Sequence, residues 1–550
     1  MKYDICIIGS GAGAGPVAYE LSRAGKKVII LEKGDIYSEK DFSKDEIAYT
    51  KRNIFTPKLH DEYHTIESLE NETWTKTPTY ESGWSFWNGN IVGGSSNFMS
   101  GFFHRLKPHD FKLKSVYGDI EGANVEDWPI TYEELEPFYD LVENVVGVSG
   151  KVTPYEHQEE RSSKDFPYPP LFEHPIVKTL DSACRALGYT SFKTPRAIIS
   201  EAKDRRSSCY YSHYCGSYAC SSGAKGSSRA ALIQPSLATH NLEIIPNAFV
   251  VELVPNAQNE IQSAVYLTKE GTRKNIEAKV FVLAAQAVES VRLLLNSKSP
   301  QFPNGLANSS GQVGKNMLFS GGGVGSGEFD LSHFPKEELL QPGLFVNRSL
   351  MDWYFTKPFK GGRVDFLFEH ANPIRRADSL KRDQGKLLWG KALQEKTFET
   401  FTTKRTLNFE VFTDWMPNDN CYVSVDEAYK DKYGIPVANI RIGAHPQDMI
   451  VGELLAQKAL KVLEKMGAKN IAYALSPLPV QNLQAGGCRF GDDPKKHVLN
   501  PYCQSYDIPN LFITDGSFMP TGGSVPYTWT IYANAFRVAH YIRDHFDKGE

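Results

Sequence analysis

Residues 3–34 read YDICIIGSGAGAGPVAYELSRAGKKVIILEKG, and the order of residue types within them decides the fold. YDICII (3–8) is apolar on both faces, as a parallel strand covered on both sides must be. A turn of small residues follows, Gly9 to Ala14. Val17, Ala18 and Leu21 then fall on one face of a helix that ends near Gly25. VIIL (28–31) is a second buried strand, and it stops at Glu32. Strand, helix, strand in this order is the unit of a parallel sheet.

Gly9, Gly11 and Ala14 fit the spacing G-x-G-x-x-[GA]. The first glycine makes the strand-to-helix turn, the second lets bare backbone approach a pyrophosphate, and the third position must be small so that helix and strand can touch. The N-terminus of the helix offers N–H groups and partial positive charge to phosphates. Glu32, 21 residues beyond Gly11, stands where a carboxylate accepts from ribose hydroxyls and repels a 2′-phosphate. This unit suits an ADP-containing dinucleotide; by itself it does not separate FAD from NAD. The competing reading is a glycine turn that merely packs a strand against a helix.

Working outward, residues 35–90 are polar and aromatic with little periodicity and read as a long excursion with short elements. Gly93 to Asn97 (GGSSN) is a second small-residue turn. Residues 132–147 read as a helix and 150–175 as a loop. Residues 241–254 alternate like strands, and 278–295 read as a strand feeding a helix. Residues 320–445 carry alternating apolar stretches that predict an antiparallel sheet. Val451, Leu454, Leu455, Val462, Leu463 and Met466 form an amphipathic stripe. The end of the chain is again strand, turn, helix. The α/β signals thus sit at the start, middle and end, with sheet-like signals between. The expectation is an α/β FAD-binding (Rossmann-like) domain, discontinuous in sequence, with an α+β substrate domain on an antiparallel sheet. The cofactor domain is expected over 1–125, 201–320 and 481–550, the substrate domain over 126–200 and 321–480.

The 550 residues amount to roughly three to four domain-sized units. A 41% hydrophobic and 23% charged composition is that of a soluble globular protein. Net charge is −4, with 61 basic against 65 acidic residues, so no basic excess recruits nucleic acid. No apolar run reaches the ~18 residues of a membrane span. Nothing resembling a signal peptide precedes the first strand, so the expected compartment is the cytoplasm; export alongside a signal-bearing partner to the periplasm is the alternative.

Several separated motifs, in order, resemble the glucose–methanol–choline (GMC) oxidoreductases, which are FAD flavoproteins: residues 9–34, VGGSSNFMSGFFHRLKPHDF (92–111), NAFVVEL (247–253), and the block GGCRFGDDP, NLFITDGSFMPTGG and TIYANAFRVA (486–539). DWPITYEELEPFYD and CGSYACSSGAKGSS are most similar to the gluconate-dehydrogenase-like branch. The resemblance implies FAD as cofactor and hydride transfer from a CH–OH group of a sugar-like or polyol substrate. The cofactor residues it implies are Gly9, Gly11, Ala12, Ala14, Gly15, Glu32 and Lys33, then Gly93, Gly94, Ser95, Ser96, Asn97 and Ser100 along the flavin and phosphates. Val250 would meet the adenine, with Ala284 nearby; Asp515 and Gly516 would hold the ribityl–pyrophosphate region, and Thr530 would point at the flavin pyrimidine. A small-molecule substrate is implied, and the branch allows an electron-acceptor protein or small subunit.

The family's alcohol chemistry uses a histidine to take the hydroxyl proton. Its pattern His-x-x-Gly-Thr-Cys-Arg aligns with Leu483–Arg489, so leucine stands at the histidine position. The second polar position falls on Val525 or Pro526. Gln484 and Tyr527 are the nearest polar neighbours; His104, His370 and His445 are remote candidates. Three readings stay open: a substitute base, a substrate that needs none, or an FAD-binding subunit without catalysis. Cys209, Cys215 and Cys220, spaced C-x5-C-x4-C, are candidate iron–sulfur ligands by the same resemblance; zinc with His213, or plain structural thiols, are the alternatives.

Overall fold

The computed structural model describes residues 2–47, 55–86, 88–333, 344–368, 371–383 and 385–545. The opening stretch folds as strand Tyr3–Ile8, helix Ala14–Arg23 and strand Val28–Leu31. The strands pair in parallel, Ile5 opposite Val28. Ile5, Cys6, Ile7, Ile29 and Ile30 are fully buried, which is why both faces had to be apolar. Parallel pairing extends the sheet to Leu242–Ile245 on one side and to Arg273–Leu283 and Leu511–Ile513 on the other. Arg273–Leu283 also turns into an antiparallel meander with Ile261–Leu267 and Phe249–Pro255. One seven-stranded sheet therefore gathers strands from the start, middle and end of the chain, giving a Rossmann-like α/β unit discontinuous in sequence.

A second sheet has six antiparallel strands, in the order Lys469–Leu475, Gly321–Asp330, Lys404–Thr413, Gly362–Phe368, Arg348–Leu350 and Ser191–Lys193. Successive side chains of a strand point to opposite faces. Val364, Phe366, Phe368, Leu407, Phe409 and Val411 are buried in one cluster with Leu455, Ala459 and Val462 of helix Pro446–Lys465. The alternate residues Arg363, Asp365, Asn408, Glu410 and Phe412 lie on the other face, which turns toward the α/β unit. His104 Nε2 stands 3.6 Å from Asp365 Oδ1 across that junction.

Two expectations need correcting. Residues 65–78, within the expected excursion, form the hairpin Thr65–Glu70 and Thr73–Pro78, which joins Tyr422–Lys430 and Pro436–Ile442 in a four-stranded sheet. Their partner lies in the far half of the chain, so no local pattern marks them. The helix expected over 132–147 stops at Val142 and continues as one π turn, Glu143–Gly147. There Glu143 is fully buried and its carboxylate accepts from Arg105 Nη2 at 2.6 Å and from Arg161. Residues 150–175 carry no helix or ladder strand.

Candidate active site

A cleft of about 260 Å3 opens at the carboxyl ends of the parallel strands, where doubly wound sheets bind their ligands. The glycines of the first turn meet different demands. Gly9 has φ +90°, and a Cβ there would stand 2.4 Å from the Ala284 carbonyl oxygen. A Cβ on Gly13 would stand 2.5 Å from the Thr514 oxygen. A Cβ on Gly11 would meet nothing within 4 Å; this residue faces open cleft, and its bareness leaves room for a ligand.

Glu32 ends the second strand on the cleft wall. It accepts from the Ser10 hydroxyl and from the Gly34 N–H at 2.7 Å, and burial raises its pKa. Ser10 in turn accepts the Gly93 N–H at 2.8 Å, so the two small-residue turns are joined. No side chain caps helix Ala14–Arg23 and no acid lies in its first turn. Its N-terminus is left to an anion.

Of the residues expected at the cofactor, Gly9, Gly11, Ala12, Glu32, Lys33, Gly94, Ser95, Ser96, Val250, Ala284, Asp515 and Gly516 line the cleft. The others lie off it. Ala14 and Gly15 sit in the packed first turn of the helix, where a Cβ on Gly15 would stand 2.4 Å from Ser228 Oγ. Gly93 supports the second turn through Ser10, and Asn97 donates to the carbonyls of Val92 and Gly94. The Ser100 carbonyl accepts from Arg196. Thr530 is turned away: its hydroxyl is bonded to Tyr139 at 2.8 Å, while Thr528 and Ile531 line the cleft instead. Sequence reading also passed over Ser10, Phe249, Gln286 and Glu289, which line it too. Gln286 was the most findable: it follows a predicted parallel strand where a helix starts. It holds φ +83°, caps helix Ala287–Asn296 through its Oε1, and donates to Gln484.

The polar face of the six-stranded sheet adjoins the segment that leaves the second cofactor turn and the loop before the last helix. Arg196 donates to the Ser100 carbonyl and to Asn347. Lys360 pairs with Asp110 at 2.9 Å and donates to Ser524 at 3.2 Å. On this face Asp365 accepts from Ser349 at 2.5 Å and pairs with Arg363 at 3.0 Å. Glu410 is the cross-strand neighbour of Asp365. Its half-buried carboxyl makes no hydrogen bond or ion pair among the described residues. Burial, and then the Asp365 carboxylate, push its pKa up to about 7 against the pull of Arg363 and Arg196.

Profiles of the GMC oxidoreductase family match residues 72–319 and 417–535. The chain belongs to the GMC oxidoreductases. It is accordingly an FAD-dependent oxidoreductase acting on CH–OH donors, and the bare Gly11 backbone, the uncapped helix and Glu32 fit FAD in the cleft. Paromamine 6′-oxidase of Streptomyces fradiae is 28% identical, over 98% of this chain and 91% of its own length. The gluconate 2-dehydrogenase flavoprotein of Pantoea cypripedii is 25% identical over 100% and 94%. A formate oxidase of Aspergillus oryzae shares the fold at a TM-score of 0.67 and 15% identity, covering 99% of each chain.

In this GMC oxidoreductase Leu483 stands half-buried on the cleft wall at φ +61°. Gln484 lines the cleft as well, but its amide donates to the Gln481 and Phe86 carbonyls. Val525 is buried off the cleft, and Pro526 is off it too. Tyr527 reaches the wall, yet its hydroxyl is committed to the Phe319 carbonyl and burial raises its pKa well above the usual value. His104 is buried, and desolvation followed by Arg363 pushes its pKa down to about 4. His445 caps helix Pro446–Lys465 and bonds the Glu121 carbonyl. His370 lies outside the described residues. None of the described candidates therefore presents an uncommitted proton acceptor to the cleft. Cys209, Cys215 and Cys220 do converge on one small cavity. Among the described residues, however, no three His, Cys, Asp or Glu are arranged to hold a metal ion; His213 lines a neighbouring cavity with Cys215.

Proposed function

We propose that this GMC oxidoreductase oxidises a CH–OH group of a sugar-like or polyol substrate, with Leu483 in place of the family's histidine and Glu410 as proton acceptor. The observation that carries the reading is the polar face of the six-stranded sheet beside the cofactor unit. Ser349, Arg363, Asp365, Asn408 and Glu410 put polar groups on that face, opposite the apolar cluster. Hydroxyl-rich substrates need such donors and acceptors, since each buried polar group left unpaired costs about 1–3 kcal/mol. Paromamine and gluconate, the compounds in the relatives' names, both carry several hydroxyl groups.

Bound FAD supplies the hydride acceptor. The chain's own part is to hold the carbinol and remove its hydroxyl proton, because a neutral alcohol is a poor hydride donor. Leucine cannot move a proton. Glu410 lies off the cofactor cleft, on the sheet face that turns toward the α/β unit; its carboxyl near neutrality and its lack, among the described residues, of a hydrogen-bond or ion-pair partner recommend it as the general base. Leu483, Phe86, Met99 and Ile531 give the cleft an apolar wall that keeps water from competing. The relative named as a dehydrogenase flavoprotein supports an electron-accepting protein or small subunit as partner.

The test is anaerobic titration of the purified flavoprotein with sugars, polyols and simple alcohols, followed at the flavin absorbance maximum. Bleaching by polyhydroxylated compounds is the expected result. Bleaching by none of them, while dithionite still reduces the flavin, would overturn the reading in favour of chemistry that needs no base or of a cofactor-binding subunit.

A further inference from the structure

The two neighbouring strands Gly362–Phe368 and Lys404–Thr413 end their pairing at Phe368 and Leu407. The chain between them leaves the sheet rather than making a tight hairpin. It forms helix Pro373–Ser379, a short ladder of Arg382–Asp383 with Lys386–Leu387, and helix Gly390–Thr402. Its base is fastened to the body: the N–H groups of Ile374 and Arg375 donate to the Glu46 carboxylate at 3.3 and 3.0 Å. Arg376 lies over the Phe401 ring at 4.7 Å and joins the two helices.

Neither helix buries a residue. At about 100° per residue, Leu393, Thr397 and Phe401 share one side of the longer helix, and Lys391, Glu395, Phe398 and Glu399 share the other. Trp389 is 77% exposed, Phe398 67% and Leu387 64%. Such a cluster on a soluble chain marks a place where something docks. The charge says what. Residues 371–404 hold eight Lys and Arg against four Asp and Glu, in a chain whose net charge is −4. Arg375, Arg382 and Lys386 make no ion pair among the described residues.

We infer that this excursion is a docking surface for an anionic lipid bilayer, with Leu387, Trp389 and Phe398 entering the headgroup region and the flanking Lys and Arg meeting lipid phosphates. Exposed aromatic side chains set among basic residues suit a membrane interface, and here the basic excess comes from the excursion as a whole. Tryptophan favours that depth, and long basic side chains reach from it to the headgroups. A protein partner is the weaker fit, because lysine is depleted from protein–protein interfaces and Lys381, Lys386, Lys391 and Lys396 recur through the segment. No helix among the described residues is long and apolar enough to cross a membrane, so the contact is peripheral.

The experiment is co-sedimentation of the FAD-loaded protein with phosphatidylcholine vesicles, with and without phosphatidylglycerol, across a salt series. The chain should pellet with the phosphatidylglycerol vesicles and be released by salt. Trp389→Ser/Phe398→Ser and Lys386→Glu/Lys391→Glu should each lower the partition by roughly tenfold or more, with flavin content and melting temperature unchanged. Absence of pelleting on the anionic vesicles, or pelleting that both variants retain, would overturn the inference. So would a solution mass of two chains that falls to one in Trp389→Ser/Phe398→Ser, since a second copy would then cover the face.

Discussion

The backbones of Gly11 and Gly94 meet beside the cofactor cleft: a Cβ added to Gly94 would stand 3.1 Å from the Cα of Gly11. The nucleotide turn and the GGSSN turn are thereby held against one another, and the bare flank of Gly11 is left to the ligand.

Gly11→Leu should fold and lose FAD. Its Cβ enters open space, with no protein atom within 4 Å. Flavin absorbance per chain should fall to a small fraction of wild type while the far-ultraviolet circular dichroism stays the same. Full flavin occupancy would mean the pyrophosphate lies elsewhere.

Glu410→Gln should alter both activity and stability with pH. The folded-state pKa of about 7 lies above the ordinary 4.5, so the folded state holds this proton more tightly than the unfolded chain. The stabilisation is complete below pH 4.5 and is lost as pH rises to about 7. Glutamine should remove that part of the decline in melting temperature. It should also abolish the rising limb of kcat/KM near neutrality and lower its plateau by about 10²–10⁴-fold. An unchanged pH–rate profile would exclude Glu410 as the base.

Arg105→Met should be severely destabilising. Arg105 is fully buried and donates to Glu143, to Glu136 at 2.8 Å and to Tyr132. Its loss strips the buried Glu143 of one of its two arginines and should cost about 3–5 kcal/mol in urea unfolding. Removing Glu143 as well should recover part of the loss. A change below about 1 kcal/mol would show that Arg161 suffices.

Cys220 should be the first thiol to react with iodoacetamide. Burial raises its pKa, but the Lys225 ammonium, the Ser222 hydroxyl and nearby backbone N–H groups outweigh it and the net shift is downward. Cys209 is pushed up to about 12 by burial and then by Cys215, and Cys215 is raised by burial. Peptide mass mapping of a time course near neutral pH checks the order, and Lys225→Met should erase the preference.

Contiguous residues carry part of this protein's structure on their own. Strand, glycine turn, helix and strand fall within 32 residues, so the turn, the open helix N-terminus and Glu32 take their places from local backbone geometry alone. The leucine at position 483 is legible in the same way, as a departure inside a short motif. Which side chains meet across long separations depends on how the packed elements are set against one another. Thr530 and Ile531 are neighbours on one helix, yet its rotation against Tyr139 gives the cleft Ile531 and buries the Thr530 hydroxyl. The strand at 65–70 is defined by a partner at 436–442. Glu410 has its raised carboxyl pKa because the assembled sheet buries it and, second, because strand register sets Asp365 opposite it; neither belongs to its own stretch of chain.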